Sequence, residues 1–159
     1  MKFSHSLRYE TSPAEVRAML IDPSFREKVC AATHAARSDV TVEPGASGPT
    51  VVVDQTQPAR GIPSFAKKFV GEEIEIVQRE SWGDDASADL TVDLPGKPAR
   101  FDGQITLQSD GTGTVETVTG NVSVKVPLVG GKLEGLVGDL LKAALDAEQR
   151  VGRTWLTGR

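Results

Sequence analysis

The sequence predicts an α+β fold in which a curved, seven-stranded antiparallel sheet wraps around one long C-terminal helix. Three observations carry that expectation. Thr114 to Val126 alternates, with Val118, Val122, Val124 and Val126 on one side and Thr117, Thr119, Asn121, Ser123 and Lys125 on the other, the period of a half-buried strand. After Pro127 and the Gly130-Gly131 pair the period changes. Leu133, Leu136, Val137, Leu140, Leu141, Ala144, Leu145, Val151 and Trp155 then recur at three- and four-residue steps, for about six helical turns. The earlier chain supplies enough short alternating runs to build the surface that so broad an apolar stripe needs. A sheet bent around a helix leaves an apolar space between them, so the expectation is a binding module.

The first strand is residues 2–10, with Phe3, His5, Leu7 and Tyr9 on one face. Ser12-Pro13-Ala14-Glu15 opens a helix, with Ser12 as N-cap, Pro13 at the first helical position and Glu15 completing a capping box. Val16, Met19 and Leu20 form its apolar face before Asp22-Pro23 breaks it. Asp22 or Ser24 caps a second short helix carrying Phe25, Val29 and Cys30. The pair is a helix–turn–helix in shape only, because its acidic turn and missing basic face argue against DNA.

From Arg37 the period returns to two through Val40 and Val42, Glu43 to Gly48 forms a hairpin loop, and Thr50 to Gln57 runs back. Ile62, Phe65, Phe69 and Val70 predict one or two helical turns from Pro63. Glu72 to Trp82 is a long strand with Ile74, Ile76, Gln78, Glu80 and Trp82 on one face. Gly83-Asp84-Asp85 turns the chain into Ala88, Leu90, Val92 and Leu94. Pro95 to Pro98 turns it again into Phe101, Gly103, Ile105 and Leu107, and Gly111 and Gly113 close the last hairpin. Strands joined by tight turns are antiparallel, and helices at the two ends of the chain cover one face.

The totals bound the function. At 159 residues, 25% charged and 38% apolar, the chain reads as one globular domain spanning 1–159. A formal net charge of -4 with scattered Lys and Arg weighs against nucleic acid and against a polybasic membrane patch. No run reaches the roughly 18 apolar residues of a membrane span, so no stable membrane insertion is expected. Cys30 is the one cysteine. With no apolar run after Met1-Lys2, it points to a cytoplasmic location. Cys30, His5 and His34 lack paired ligand spacing, so neither a metal nor a cofactor is expected.

The order of elements resembles the START-like (SRPBCC) superfamily of birch-pollen-type allergens, polyketide aromatase/cyclases and coenzyme Q-binding proteins. The likeness covers essentially the whole chain and implies the helix-grip fold with its apolar cavity. Phe3 to Tyr9 with Pro13 to Asp22, Ile62 to Gly71, and above all Val126-Pro127-Leu128-Val129-Gly130-Gly131-Lys132-Leu133-Glu134 resemble an uncharacterised actinobacterial branch. None of these stretches is a catalytic motif. The glycine-rich loop of the allergens is reduced here to Gly45 and Gly48 without a lysine, so no phosphate-like role is carried over.

The residues expected to line the cavity are His5, Tyr9, Phe65, Phe69, Gln78, Leu90, Val92, Phe101, Ile105, Val122, Leu141 and Glu148. His5 is either a polar group inside the cavity or a histidine bonded at the edge of the core. Glu148 falls in the middle of the helix stripe, where an unpaired carboxylate costs several kcal/mol or takes up a proton. It is therefore paired, wet or at an exposed helix end. Gln78, Glu80 and Gln55 also interrupt apolar faces. Phe65 and Phe69 either cover the cavity mouth as a mobile flap or plug the open side of the sheet. Gly120, and Gly103 with it, gives the bend a curved sheet needs, and Trp82 and Trp155 read as packing residues.

Three functions follow from this reading. The first is non-catalytic binding or transport of an apolar small molecule such as a lipid, isoprenoid or polyketide-like compound. The second is a cyclase/dehydratase-type enzyme moving protons with His5 or Glu148. The third is a protein-interaction module, which the polar outer face (Asp89, Thr91, Asp93) disfavours and for which no partner is indicated.

Overall fold

The alternating runs become strands and the three- and four-step runs become helices. Their order is β1 (Lys2–Tyr9), α1 (Pro13–Leu20), α2 (Pro23–Ala32), β2 (Arg37–Glu43), β3 (Thr50–Pro58), α3 (Ser64–Val70), β4 (Glu73–Trp82), β5 (Ser87–Asp93), β6 (Ala99–Ser109), β7 (Thr114–Val124) and α4 (Gly130–Thr157). The structure is a computed structural model describing residues 1–83 and 86–158. The turn expected at Gly83-Asp84-Asp85 lies partly outside the described residues.

The strands form one antiparallel sheet in the order β1-β7-β6-β5-β4-β3-β2. Consecutive hairpins build most of it, and β1 joins at the end beside β7. The register carries inward-facing side chains across the sheet in rows. One row is Val53, Gln78, Val92, Phe101 and Val122, and the next is Val51, Glu80, Leu90, Gly103, Gly120 and Phe3. Gly103 and Gly120 are partners across β6 and β7. A Cβ at Gly103 would stand 2.0 Å from the Thr119 carbonyl oxygen, and one at Gly120 would stand 2.2 Å from that of Asp102. The close approach of these strands therefore admits only glycine at both places.

The short helices start as their caps dictate. The Glu15 amide donates to Ser12 Oγ at 3.3 Å and the Ser24 amide donates to Asp22 Oδ1 at 2.8 Å. Helix α1 buries Val16, Met19 and Leu20, and α2 buries Phe25 and Cys30 together with Arg26. Two boundaries differ from the sequence reading by two residues, and others by one. β7 ends at Val124 rather than Val126, because the chain turns at Leu128, which has φ 71°, while the Val124 amide donates to Glu134 of α4. Helix α4 begins at Gly130 rather than Lys132, so the double glycine is its first turn and not a hinge. The Leu133 amide already donates to Val129 at 3.0 Å.

Helix α4 lies chiefly on β1, β7 and α2. Gly152 allows the approach to β1, since a Cβ there would be 2.6 Å from the Tyr9 ring. Trp155 packs edge-on to Phe25 with ring centroids 5.7 Å apart. Phe3, Leu7, Leu90, Phe101, Ile105, Val118 and Val122 fill the space beneath this half of the sheet and are buried, each stabilising the fold by about 1.5–3 kcal/mol. The opposite half, β3 and β4, faces α4 across a gap. No described helix is long and apolar enough to cross a membrane.

Candidate functional site

The gap is a cavity of about 380 Å³ bounded by α2, α4, β3 and β4. Strand periodicity aims Val53, Gln55 and Gln57 into it from β3, and Ile74, Ile76 and Gln78 from β4. The stripe of α4 contributes Leu141, Leu145 and Glu148, while Arg26, Val29 and Cys30 come from α2 and Ile62 from the segment before α3. Arg60 and Arg150 are exposed and border its solvent side. A larger surface groove runs past Lys28, Ala32 and Trp155, but none of its lining residues is buried, and it holds no desolvated polar group that could select a ligand.

Beneath the apolar walls lies a buried charge cluster. Arg26 is 4% exposed, Glu80 1%, Glu116 1% and Glu148 6%. Arg26 Nε donates to the Leu20 carbonyl at 2.7 Å, Nη2 donates to Glu80 Oε1 at 2.5 Å, and Nη1 stands 3.5 Å from Glu148 Oε2. Glu80 is supplied further by Gln78 Nε2 at 2.7 Å and Trp82 Nε1 at 3.1 Å. It is a salt-bridged carboxylate with donors on both oxygens. Glu116 Oε1 and Glu148 Oε1 have no donor among the described residues. One guanidinium thus faces three carboxylates, and the shortage falls on Glu116 and Glu148.

Burial decides how this shortage is met. Desolvation pushes the Glu148 carboxyl up to about 7 even though Arg26 opposes the shift, and Glu80 adds to it. Desolvation also holds Glu116 well above the usual carboxylate range, reinforced by Glu148 and Glu80. The two carboxyls interact directly, so the pair holds a proton near neutrality. The Tyr9 hydroxyl is buried without a hydrogen-bond partner among the described residues and is kept neutral by burial and then by the charges of Glu148 and Glu116. Burial likewise raises the Cys30 thiol. Among the described residues no group of three His, Cys, Asp or Glu is arranged to hold a metal ion.

Of the residues expected to line the cavity, Gln78, Leu141 and Glu148 border it, and so does Gln55, the other glutamine that interrupts an apolar face. His5 does not. Its Nε2 meets Asp146 Oδ1 of α4 at 2.8 Å, across the sheet from β3 and β4. Tyr9, Leu90, Val92, Phe101, Ile105 and Val122 are buried in the core and do not border the cavity. These strands lie in the part of the sheet that α1 and α4 cover, and their side chains fill it. Phe65 is 38% exposed and stacks under the Lys132 ammonium at 5.6 Å, and Phe69 is half-buried with Lys68 at 5.1 Å. Neither reaches the cavity wall, whereas Ile62, just before the helix, does.

The sequence reading missed Arg26 and Glu116 as site residues. Glu116 shares the parity of Val118 and Val122, so the alternation alone placed it inward. Arg26 sits one helical turn before Cys30, on the same face. What no periodicity could show is that both converge with Glu80 and Glu148.

Residues 4–156 match the family model described as "Protein of unknown function (DUF2505)". The uncharacterized protein Rv0481c of Mycobacterium tuberculosis is 25% identical over 98% of this chain and 96% of its own. A START superfamily protein from Mycobacterium smegmatis superposes with TM-score 0.64 at 14% identity, covering 96% of this chain and 98% of that one. The di-domain ARO/CYC StfQ of the steffimycin biosynthetic pathway gives TM-score 0.69 at 13% identity, covering 96% of this chain and 49% of that one. The fold is therefore the START-like helix grip.

Proposed function

The chain belongs to the DUF2505 family of proteins of unknown function, and from its cavity we propose that it binds or carries an apolar small molecule having one polar end. The observation that supports this reading is the 380 Å³ space beside α4, at the lower end of the range of small-molecule pockets, which runs from about 300 to 1,000 Å³. Aliphatic side chains make up much of its wall, its buried charged groups are Arg26 and Glu148 beside Gln78, and Thr33, Gln55 and Gln57 add a hydrogen-bonded polar group. The START-like neighbours include a polyketide cyclase, which makes a lipid, isoprenoid or polyketide-like compound the natural class.

Native mass spectrometry of the protein purified from its own host tests the proposal. A co-purifying apolar compound is expected, and Leu141→Trp, which fills the cavity from α4, is expected to abolish its retention while leaving the fold intact. Retention of the same compound by Leu141→Trp would move binding elsewhere.

A second reading, a proton-moving enzyme, is favoured by the Glu148 carboxyl raised to about 7 at the cavity wall, where a general acid or base works near neutral pH. Incubating the recovered compound with fresh protein separates the two: an unchanged compound means a carrier, and a converted one means an enzyme that Glu148→Gln should silence.

A further inference from the structure

Resting on the reading of the cavity as a small-molecule site, we propose that its buried end receives a protonated amine, so that the ligand is an apolar monocation. Arg26 spends its donors on Leu20 and Glu80, with one nitrogen 3.5 Å from Glu148. Glu80 draws further donors from Gln78 and Trp82. Glu148 borders the cavity and is 6% exposed, while its Oε1 is buried on the side of the Glu116 carboxyl and has no donor among the described residues. Behind it Glu116 Oε1 likewise has no donor among the described residues. An ammonium group supplies what the cluster lacks, namely one positive charge and three N–H donors.

The competing head groups fit less well. An alcohol gives one donor and no charge. A carboxylate would set a further negative charge beside three glutamates. The Arg60 and Arg150 guanidiniums could attract an anion, but both are exposed at the solvent side, where water and salt screen them.

Binding of a cation exchanges charge for charge: the ammonium enters, and the proton held by the Glu116 and Glu148 pair leaves to solvent. The groups facing this point are Arg26 and Cys30 on α2, Tyr9 on β1, Gln78 and Glu80 on β4, and Glu116 on β7. Burial raises the Cys30 thiol and the Tyr9 hydroxyl, leaving both neutral. The glutamate pair therefore carries the proton exchange near neutrality.

Decylamine, decanol and decanoate have the same tail and differ in the head, and titration calorimetry below their micellar concentrations compares them. At neutral pH decylamine is expected to bind about tenfold tighter than decanol, with decanoate weakest. An aliphatic ammonium, with a pKa near about 10, stays charged from about pH 6 to about pH 8. Across that range decylamine affinity should rise and protons should be released, as seen by repeating the titration in buffers of different ionisation enthalpy, while decanol affinity stays level. Glu148→Gln, checked for folding by thermal melting, should bring decylamine down to the level of decanol. Should that variant not fold, Glu116→Gln should reduce the proton release, and a release as large as that of the wild type overturns the exchange.

Decanol or decanoate binding as tightly as decylamine overturns the amine assignment but leaves the cavity reading standing. So does an amine preference that survives Glu148→Gln. If none of the three binds, the cavity reading itself fails and the amine assignment goes with it.

Discussion

Arg26 ties three elements together inside an otherwise apolar core. Its guanidinium is spread over a backbone carbonyl, Glu80 and Glu148, so three separate elements converge on one side chain. Substituting Arg26→Met keeps the volume and removes the charge. Glu80 and Glu148 would then be buried without a counter-charge, which costs about 3–5 kcal/mol. Urea denaturation checks this, and a loss below about 1 kcal/mol would mean that the carboxylates were already neutral. The same residue-level logic separates the glutamates. Glu80 is saturated with donors, whereas Glu116 and Glu148 share a deficit, although the three carry the same functional group.

At the scale of elements, α3 is the loosest part of the enclosure. It has seven residues, no side-chain N-cap, a Gly71 C-cap at φ 73°, and Ala66 as its buried residue. Phe65 meets the first turn of α4 through the Lys132 ammonium, and such an exposed cation–π contact stabilises by about 0.5–1 kcal/mol. Segment 58–62, which leads into α3, borders the cavity through Pro58, Arg60 and Ile62. As part of the proposed function, we propose that this segment opens to admit the ligand. Amide exchange across residues 63–71 is expected to be faster than in α1 or the middle of α4, and slowed by decylamine. Protection equal to that of α4 in the free protein would instead make α3 a fixed plug.

Across the whole molecule the buried cluster sets how stability depends on pH. Glu148 has an ordinary value of 4.5 in the unfolded chain and about 7 when folded, and Glu116 moves the same way. Between those values the folded state holds more protons than the unfolded state. The pair's contribution to stability is therefore complete below 4.5 and falls as pH rises to about 7, by up to about 1.4 kcal/mol per pH unit for each proton held. Urea midpoints measured across this range should fall for the wild type and fall less steeply for Glu116→Gln, which removes one of the two titrating carboxyls and leaves Glu148 raised by its burial. A midpoint that rises with pH would contradict the protonated pair.

The split between what could be read from the chain and what could not follows from distance along it. Local periodicity, caps and turns depend on neighbours within a few residues, so the strands, both short helices, the long helix and the antiparallel order were legible. So was the oddity of Glu148 in its stripe. Even the small errors, at Val126 and Gly130, are end effects where a proline, a strained Leu128 and two glycines compete. The site was decided by packing. Which half of the sheet α4 covers depends on the contact of Gly152 with Tyr9 and of Trp155 with Phe25, and that choice filled the space over β1, β6 and β7 while leaving β3 and β4 open. By itself the sequence determined a sheet gripping a helix. Tertiary structure alone decided where the hollow lies and that one arginine and three glutamates meet at its end, because charge balance in a desolvated interior is a property of side chains brought together from α2, β4, β7 and α4.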